Sequence, residues 1–532
     1  MVLTTIFSGL VAQTQVKTTT KPAAGTSLVS GTFSGPSGSG IVLQNNGKND
    51  LTLTAKKETG MNYSSNPFSF ATPFPDGSKF KITVKKAPGG QTCVIYAGGE
   101  GTLPQAATSV KVGCDFTYDM LSRTSDNKSF STFYETSNPV VGGNQGEEGR
   151  YVVFISSATF AGSTGKHRQI FWRDRNAGIT KMISTSPAGE EGNADSNAPA
   201  ISGDGKTVAF ESYSSNLVQS DKNGFRDIFV WHSNTGKIDV ASIGTKGAEA
   251  NAESYEPTVS GDGNFIAFTS MAGNISSTEK DVSNNNVYLR DMQAGTTIMI
   301  SVDPTTKKGG GGSNPSISYD GNRLAFYSHT STLVASDNNG LWDIFLWEKD
   351  KKPLKKISLN ADGKERDQGS ESANRIVAPA ISGDGQFIAY STTASNMVPG
   401  DINNSQDVFV YDINANTTVI ASNNPDGKPG NADSPIEQGE KIAISFNGKW
   451  VAFPTKASNL GVPSANIVMH NMITGENKAI STVVGSSVGR PAISGSGSYV
   501  VFGIGGQIDS RYKSSGVFAN FTGVGPCLSC PE

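Results

Sequence analysis

The chain has little charge and no bias in its sign. Charged residues make up 17% of its 532 residues, against about 25% in an average soluble domain. The 44 Lys and Arg against 47 Asp and Glu leave a net charge of −3, so no basic field exists to hold nucleic acid or an anionic membrane. No apolar run approaches the length of about 18 residues that spans a bilayer. Four histidines in all, His167, His232, His329 and His470, leave little general-base capacity near neutral pH. No His-Glu-x-x-His, phosphate-binding or dinucleotide loop is present, nor any α/β segment of about 200 residues to carry a hydrolase. What abounds is glycine, 61 residues, beside 36% hydrophobic residues. Together these reach about 47%, an ordinary globular share that excludes wholesale disorder. The length suits two or three domains.

Cysteine is scarce and falls into two pairs, Cys93 with Cys114 and Cys527 with Cys530. The first pair stands 21 residues apart in a β-rich segment, a comfortable disulfide loop. The second is a Cys-x-x-Cys bracketed by Pro526 and Pro531. It lacks the helix N-terminus of a redox pair, the following His of a haem site and the further ligands of a zinc site. It reads as a staple in a tail, residues 526–532. Two tidy pairs point to an oxidising compartment. At the other end, Val2–Ala12 has the length of a signal core but no preceding Lys or Arg. Residues 1–26 therefore read either as the remnant of an export signal or as a β-prone arm.

Residues 27–119 alternate short β-branched runs with turn chemistry at Asn45-Asn46-Gly47, Pro75-Asp76-Gly77 and Pro88-Gly89-Gly90. About seven short strands in about 90 residues predict a small β-sandwich, with Cys93 and Cys114 stapling its last two strands. Through the run Gly38-Ser39-Gly40-Ile41-Val42-Leu43-Gln44-Asn45-Asn46-Gly47, the segment resembles the Ig-like modules of bacterial surface proteins.

From residue 120 to 525 the chain repeats. One unit reads Pro199-Ala-Ile-Ser202-Gly-Asp-Gly205, then Val208-Ala-Phe210, Asp227-Ile-Phe-Val-Trp231, and a Thr235-Gly236 turn before Val240-Ala-Ser242. The Pro-x-Ile/Val-Ser returns at Pro257, Pro315, Pro379 and Pro491. A proline-less copy runs Ile442–Ser445 and a worn first copy starts at Pro139. Each unit holds four β-runs, and seven units emerge. Four antiparallel strands per period, repeated seven times, predict an all-β protein with a seven-bladed β-propeller. The last unit lacks an outer strand, which Ser129–Tyr134 is expected to supply, closing the ring. The repeat resembles the TolB-type propeller. That resemblance implies a bacterial protein, secreted, periplasmic or on the cell surface, whose ring is a platform for other proteins; secretion or the cell surface is expected ahead of the periplasm. TolB's α/β domain is absent, so its role in envelope translocation does not carry over.

One polar pattern recurs at the start of the third strand: Asp-x-Asn-x-x-x-Asp, as Asp221/Asn223/Asp227, Asp337/Asn339/Asp343 and Asp401/Asn403/Asp407. A degraded copy holds Asp281, Ser283 and Asn286. Oxygens spaced by two on such a loop can converge on Ca²⁺, which takes six to eight of them. Equally, Asp and Asn can hydrogen-bond the backbone of a tight turn. The variant with this motif resembles propellers presumed to hold calcium, there a structural ion.

Elsewhere the sequence offers bland readings. His232 and His470 look like solvated turn histidines, Glu190 and Glu191 like loop carboxylates. Phe229, Trp231, Phe345, Trp347, Phe409 and Tyr411 alternate as inter-blade core, and Trp342 reads as exposed. The functional expectation is a non-enzymatic extracellular or cell-surface protein whose calcium-stabilised ring docks a protein or glycan. An alternative is a structural subunit that self-assembles into a filament, appendage or coat through its arm. A third, a lyase or glycosidase in the channel, requires charged residues on the innermost strands, which instead read Pro-Ala-Ile-Ser.

Overall fold

The computed structural model describes residues 24–34, 40–54, 66–87, 91–104, 110–116, 118–126, 136–144, 147–219, 221–244, 247–276, 285–367, 376–435, 441–462, 466–481, 487–505 and 516–524. Every regular element among them is a β-strand. Two four-stranded sheets come first. One orders Asn66–Ser69, Ser30–Ser34, Val110–Phe116 and Gln91–Ala97; the other orders Lys48–Thr54, Gly40–Asn45, Lys79–Lys86 and Glu100–Thr102. Strand Lys79–Lys86 shows why they layer. Phe80 and Ile82 are buried while Lys79, Lys81 and Thr83 are exposed, the period-2 pattern of a half-covered strand. Phe33, Ile41, Leu43, Phe68, Phe70, Val110 and Val112 complete the apolar layer. Cys93 and Cys114 face each other across neighbouring strands and are bonded, as the spacing predicts. Cys527 and Cys530 lie outside the described residues.

Seven four-stranded antiparallel sheets follow. The first runs Thr136–Gly142, Tyr151–Ser156, Gln169–Asp174 and Ile179–Met182; the second runs Ser196–Ile201, Thr207–Ser212, Asp227–His232 and Ile238–Val240. Four more repeat this order. The seventh takes Ser487–Ile493, Tyr499–Gly505 and Gly516–Phe521 from the chain's end, and its outer strand from Tyr118–Met120. Closure by a strand from far upstream is as predicted, but its source is Tyr118–Met120, only two residues after the sandwich. Residues 129–134 lie outside the described residues.

The repeated Ser-Gly-Asp-Gly is a self-contained turn. Ser202 Oγ donates to Asp204 (2.6 Å) and accepts from the Thr207 amide (3.0 Å). Ser260, Ser318 and Ser382 repeat both bonds. The turn's last glycine then sets the step between sheets. Gly205, at φ +72°, leaves room for the Tyr151 ring of the preceding sheet: a Cβ there would stand 2.0 Å from it. Gly263 meets Thr207 in the same way, Gly321 meets Phe265, Gly385 meets Arg323, Gly448 meets Phe387 and Gly497 meets Trp450. Gly149 of the first sheet meets Tyr499 of the last, with a Cβ 2.5 Å from that ring. The same contact thus recurs around the series and returns to its start. Val152, Phe154, Val501 and Val517 share one apolar cluster across that closing junction. An all-β chain of four-stranded sheets, each burying its faces on its neighbours, has β-propeller architecture. Phe229, Trp231, Phe345, Phe409 and Tyr411 are buried in it, as expected.

Candidate functional site

Two places gather chemistry: the loops before the third strands, and the channel that the first strands surround.

In the loops, the final Asp of each motif opens a third strand and is buried. Asp227 is 3% exposed, Asp343 and Asp407 0%. Each accepts at 2.5 Å from a serine just past the next strand, Ser242, Ser358 or Ser422. That serine in turn accepts the next backbone amide. Asn223 and Asn403 are committed to the protein, whereas Asn339 Nδ2 is buried without a hydrogen-bond partner. Asn223 donates to Asp227 (2.7 Å) and to the Ala250 carbonyl (3.1 Å), while its oxygen accepts from the Phe225 amide. Asn403 repeats all three bonds with Asp407, Gly430 and Ser405. The Asn339 oxygen accepts from the Leu341 amide. These are turn bonds. Asp281 and Ser283 lie outside the described residues. Asn286 takes the serine bond from Ser301 and also accepts the Gly311 amide.

The three acid sets differ in what neutralises them. In the fourth sheet the Lys356 ammonium stands 3.1 Å from Asp337, 2.8 Å from Asp343 and 3.1 Å from Glu365. Arg366 lies 3.5 Å from Asp343. Lys356 faces Phe345 in the strand pairing. The same position holds Val240 in the second sheet, Met299 in the third and Ile420 in the fifth. The second sheet has the acids without the lysine. Asp221, Asp227 and Glu249 line a 370 Å³ pocket together with Val240, and Asp221 Oδ1 is buried without a hydrogen-bond partner. Burial, then the neighbouring Asp227 and Glu249 charges, push the Asp221 carboxyl up to about 6. In the fifth sheet burial does the same to Asp401, to about 6, and Asp407, to about 7. Among the described residues no three acid, histidine or cysteine side chains already converge as a metal centre.

The channel has a volume of 750 Å³. Its wall departs from the sequence reading. Six of the seven first strands carry a register shift at their proline, the sixth sheet's being the exception. In five of them the residue preceding the proline turns left-handed, Asn138 (φ 50°) in the first sheet and, on the channel, Ala198 (45°), Glu256 (56°), Asn314 (53°) and Arg490 (51°). A bulge re-aims its side chain, and Ala198, Glu256, Asn314 and Arg490 line the channel with Glu211, Arg226, Tyr255, Tyr327, Trp342, Gln406 and Lys441. The premise that the inner strands bring no charge to the channel therefore fails. Arg226 joins Glu211 and Glu253, each at 3.0 Å, and lies over the rings of Tyr213 and Tyr255. Glu256 accepts from Thr269 Oγ1 (3.1 Å), the Asn314 amide (2.9 Å) and Asn314 Nδ2 (2.7 Å). Burial raises its carboxyl pKa against these bonds. Trp342 is half-buried, edge-on to Tyr327 at 5.0 Å between centroids. The residue before each repeat proline was the available signal.

Other expectations shift. His470 is buried, not solvated, and shares a 2.8 Å bond with Asn477, its protonation disfavoured by burial. His232 does lie at the surface, 3.1 Å from Asp239. Glu191 fastens a loop by accepting from Ser163 and twice from Thr164. No described helix is long and apolar enough to cross a membrane.

No family model matches the chain, and no curated protein does. Solved structures do resemble it. The β-propeller domain of the Trilobed protease from Pyrococcus furiosus is 15% identical, over 73% of this chain and 95% of that one, with a TM-score of 0.43. TolB from Acinetobacter baumannii is 15% identical, over 76% and 79%, with a TM-score of 0.35. An oligogalacturonate lyase in complex with manganese is 10% identical, over 76% and 96%, with a TM-score of 0.41.

Proposed function

We propose that the chain is a non-enzymatic extracellular or cell-surface protein, its seven sheets the blades of one ring that presents a protein or glycan docking face, with an Ig-like module at the N-terminal side. The observation that carries this is the anchoring of the loops on one rim. Asn193, Asn251 and Asn431 each accept a bond across to the next loop, from Ser215, Gly273 and Ser458, and their amides donate to Asn216, Asn274 and Asn459. A surface fixed in this way loses little entropy on binding. The Cys93–Cys114 bond suits an oxidising location.

Calcium belongs to this reading as a stiffener of the loops. The donors are hard carboxylate oxygens, the type Ca²⁺ prefers. Asp221, Asp227 and Glu249 would hold the ion in the second sheet, and Asp401 and Asp407 in the fifth. Asn223 and Asn403 would serve as turn braces. In the fourth sheet Lys356 already supplies the positive charge, so Asp337, Asn339 and Asp343 are left out of the metal set. The test is display of the whole protein to a glycan array and to extracellular proteins of its source, with calcium and with EDTA. Selective binding that weakens in EDTA and in Asp227→Ala supports the proposal. Binding to nothing on either panel, or particles that only polymerise in electron micrographs, overturns it in favour of a structural subunit.

A further inference from the structure

At the end of the channel opposite the loops, the Ser-Gly-Asp-Gly turns and their relatives join first strands to second. Their second residue is glycine at Gly203, Gly261, Gly383 and Gly495, but Tyr319 in the fourth sheet and Phe446 in the sixth. The turn itself does not require glycine, because none of Gly203, Gly261 and Gly383 takes a positive φ. A close approach does. A Cβ on Gly203 would stand 2.3 Å from the Tyr319 ring, one on Gly261 1.9 Å from the same ring, and one on Gly383 2.3 Å from the Phe446 ring. The two rings meet edge to face, 5.7 Å apart between centroids, a favoured aromatic geometry. The Tyr319 hydroxyl donates to Asn144 of the first sheet (3.3 Å). Backbone bonds tie the same turns together. The Tyr319 amide donates to the Gly383 carbonyl (2.8 Å), the Gly261 amide to the Tyr319 carbonyl (2.8 Å) and the Phe446 amide to the Gly495 carbonyl (2.9 Å). Between them, Tyr319 and Phe446 touch every sheet of the series. A side chain of the fourth sheet that meets the first, second, third and sixth lies across the channel, not along its wall. Ile201, Val259, Ile381, Ile444 and Ile493 line the channel one residue before the turn serines, an apolar floor just inside the two rings.

We propose that Tyr319 and Phe446 are a stopper that closes the channel at the turn rim, leaving a cup whose mouth is on the loop rim. Whatever enters the channel then enters from the face whose loops are braced to one another, and nothing threads through the ring. The repeat glycines are the seat of the stopper, and it holds whatever partner the loop face takes.

The experiment places a thiol on the floor, Ile201→Cys, and offers it maleimide carried on beads by a spacer, with the chain lacking the new cysteine as the blank. A first strand of six residues is about 20 Å long; the short spacer is half that length and the long spacer three times it. The long spacer is expected to couple to Ile201→Cys through the loop rim. The short spacer is expected to couple at least tenfold less to Ile201→Cys than to the same protein with Tyr319→Gly and Phe446→Gly, which restore the residue of the other turns. The proposal is overturned if the short spacer couples alike to both proteins, whether well or not at all, or if the long spacer does not couple to Ile201→Cys. Should the double replacement not fold, Gly261→Ala decides. It lowers the urea midpoint of the parent and leaves that of Tyr319→Gly unchanged; an equal drop in both shows that the ring is not seated on Gly261 and overturns the stopper.

Discussion

Lys356→Met removes one ammonium from a site where three carboxylates depend on it. The Lys356 and Asp337 side chains are each 2% exposed and Asp343 is 0% exposed. The variant keeps length and apolar bulk but leaves Asp343 with only Arg366, 3.5 Å away, and Asp337 with no cation. Breaking a buried pair from one side costs about 3–5 kcal/mol. Urea unfolding followed by tryptophan fluorescence is a clean assay, because all five tryptophans, Trp172, Trp231, Trp342, Trp347 and Trp450, lie in the ring. If Lys356 is a tethered stand-in for a divalent ion, calcium should now bind where it did not. At a hundred times its dissociation constant a ligand returns about 2.7 kcal/mol, so most of the loss should be recovered. A loss under about 1 kcal/mol refutes the counterion role. A full loss that calcium leaves untouched refutes the equivalence of Lys356 with a bound ion.

Four further outcomes are expected. EDTA should lower the melting temperature of the parent and of Asp337→Asn by the same amount, and that of Asp227→Ala by less; equal shifts in all three contradict calcium in the second sheet. Asp407 is held up to about 7 by burial, above its unfolded value near 4, so the folded state binds the extra proton and metal-free stability falls as pH rises from about 4 through about 7. The advantage of Asp407→Asn over the parent in EDTA should therefore grow between pH 4.5 and 7.5, and a constant difference in urea midpoints counts against it. Cys93→Ser with Cys114→Ser opens a loop of 21 residues' separation and should cost the sandwich about 3 kcal/mol, read from its own calorimetric transition. Gly149→Ala combines a left-handed φ of +74° with a Cβ 2.5 Å from the Tyr499 ring, a loss of about 2–4 kcal/mol. Its hydrogen exchange should quicken first at 118–120 and 516–521, and uniform protection there shows that this contact does not hold the junction.

The repeat was legible because each Pro-x-Ile-Ser and its turn form one local hydrogen-bonded unit, complete within about six residues. The channel wall was not. A strand alternates its faces, and a residue before proline is normally extended. Glu256 and Arg490 break both expectations at a bulge, so charge reaches the channel from strands that read as apolar. Lys356 was hidden differently. It lies 13 and 19 residues from the acids it serves, on a fourth strand whose pairing the sequence does not state. A single lysine in a column of Met182, Val240, Met299 and Ile420 was the trace it left. The closing strand was misplaced because three residues, Tyr118–Met120, carry almost no periodic signal.

That short strand has a mechanical consequence. It meets the last strand through three rungs, Tyr118 with Asn520, Asp119 with Ala519 and Met120 with Phe518, and one residue separates it from the sandwich strand that ends at Phe116. A pull on the N-terminal module is thus delivered first to a short ladder that closes the ring. Arg175 of the first sheet also holds Asp119, so tension enough to part that ion pair and the three rungs would unlatch the circle while leaving six sheets intact.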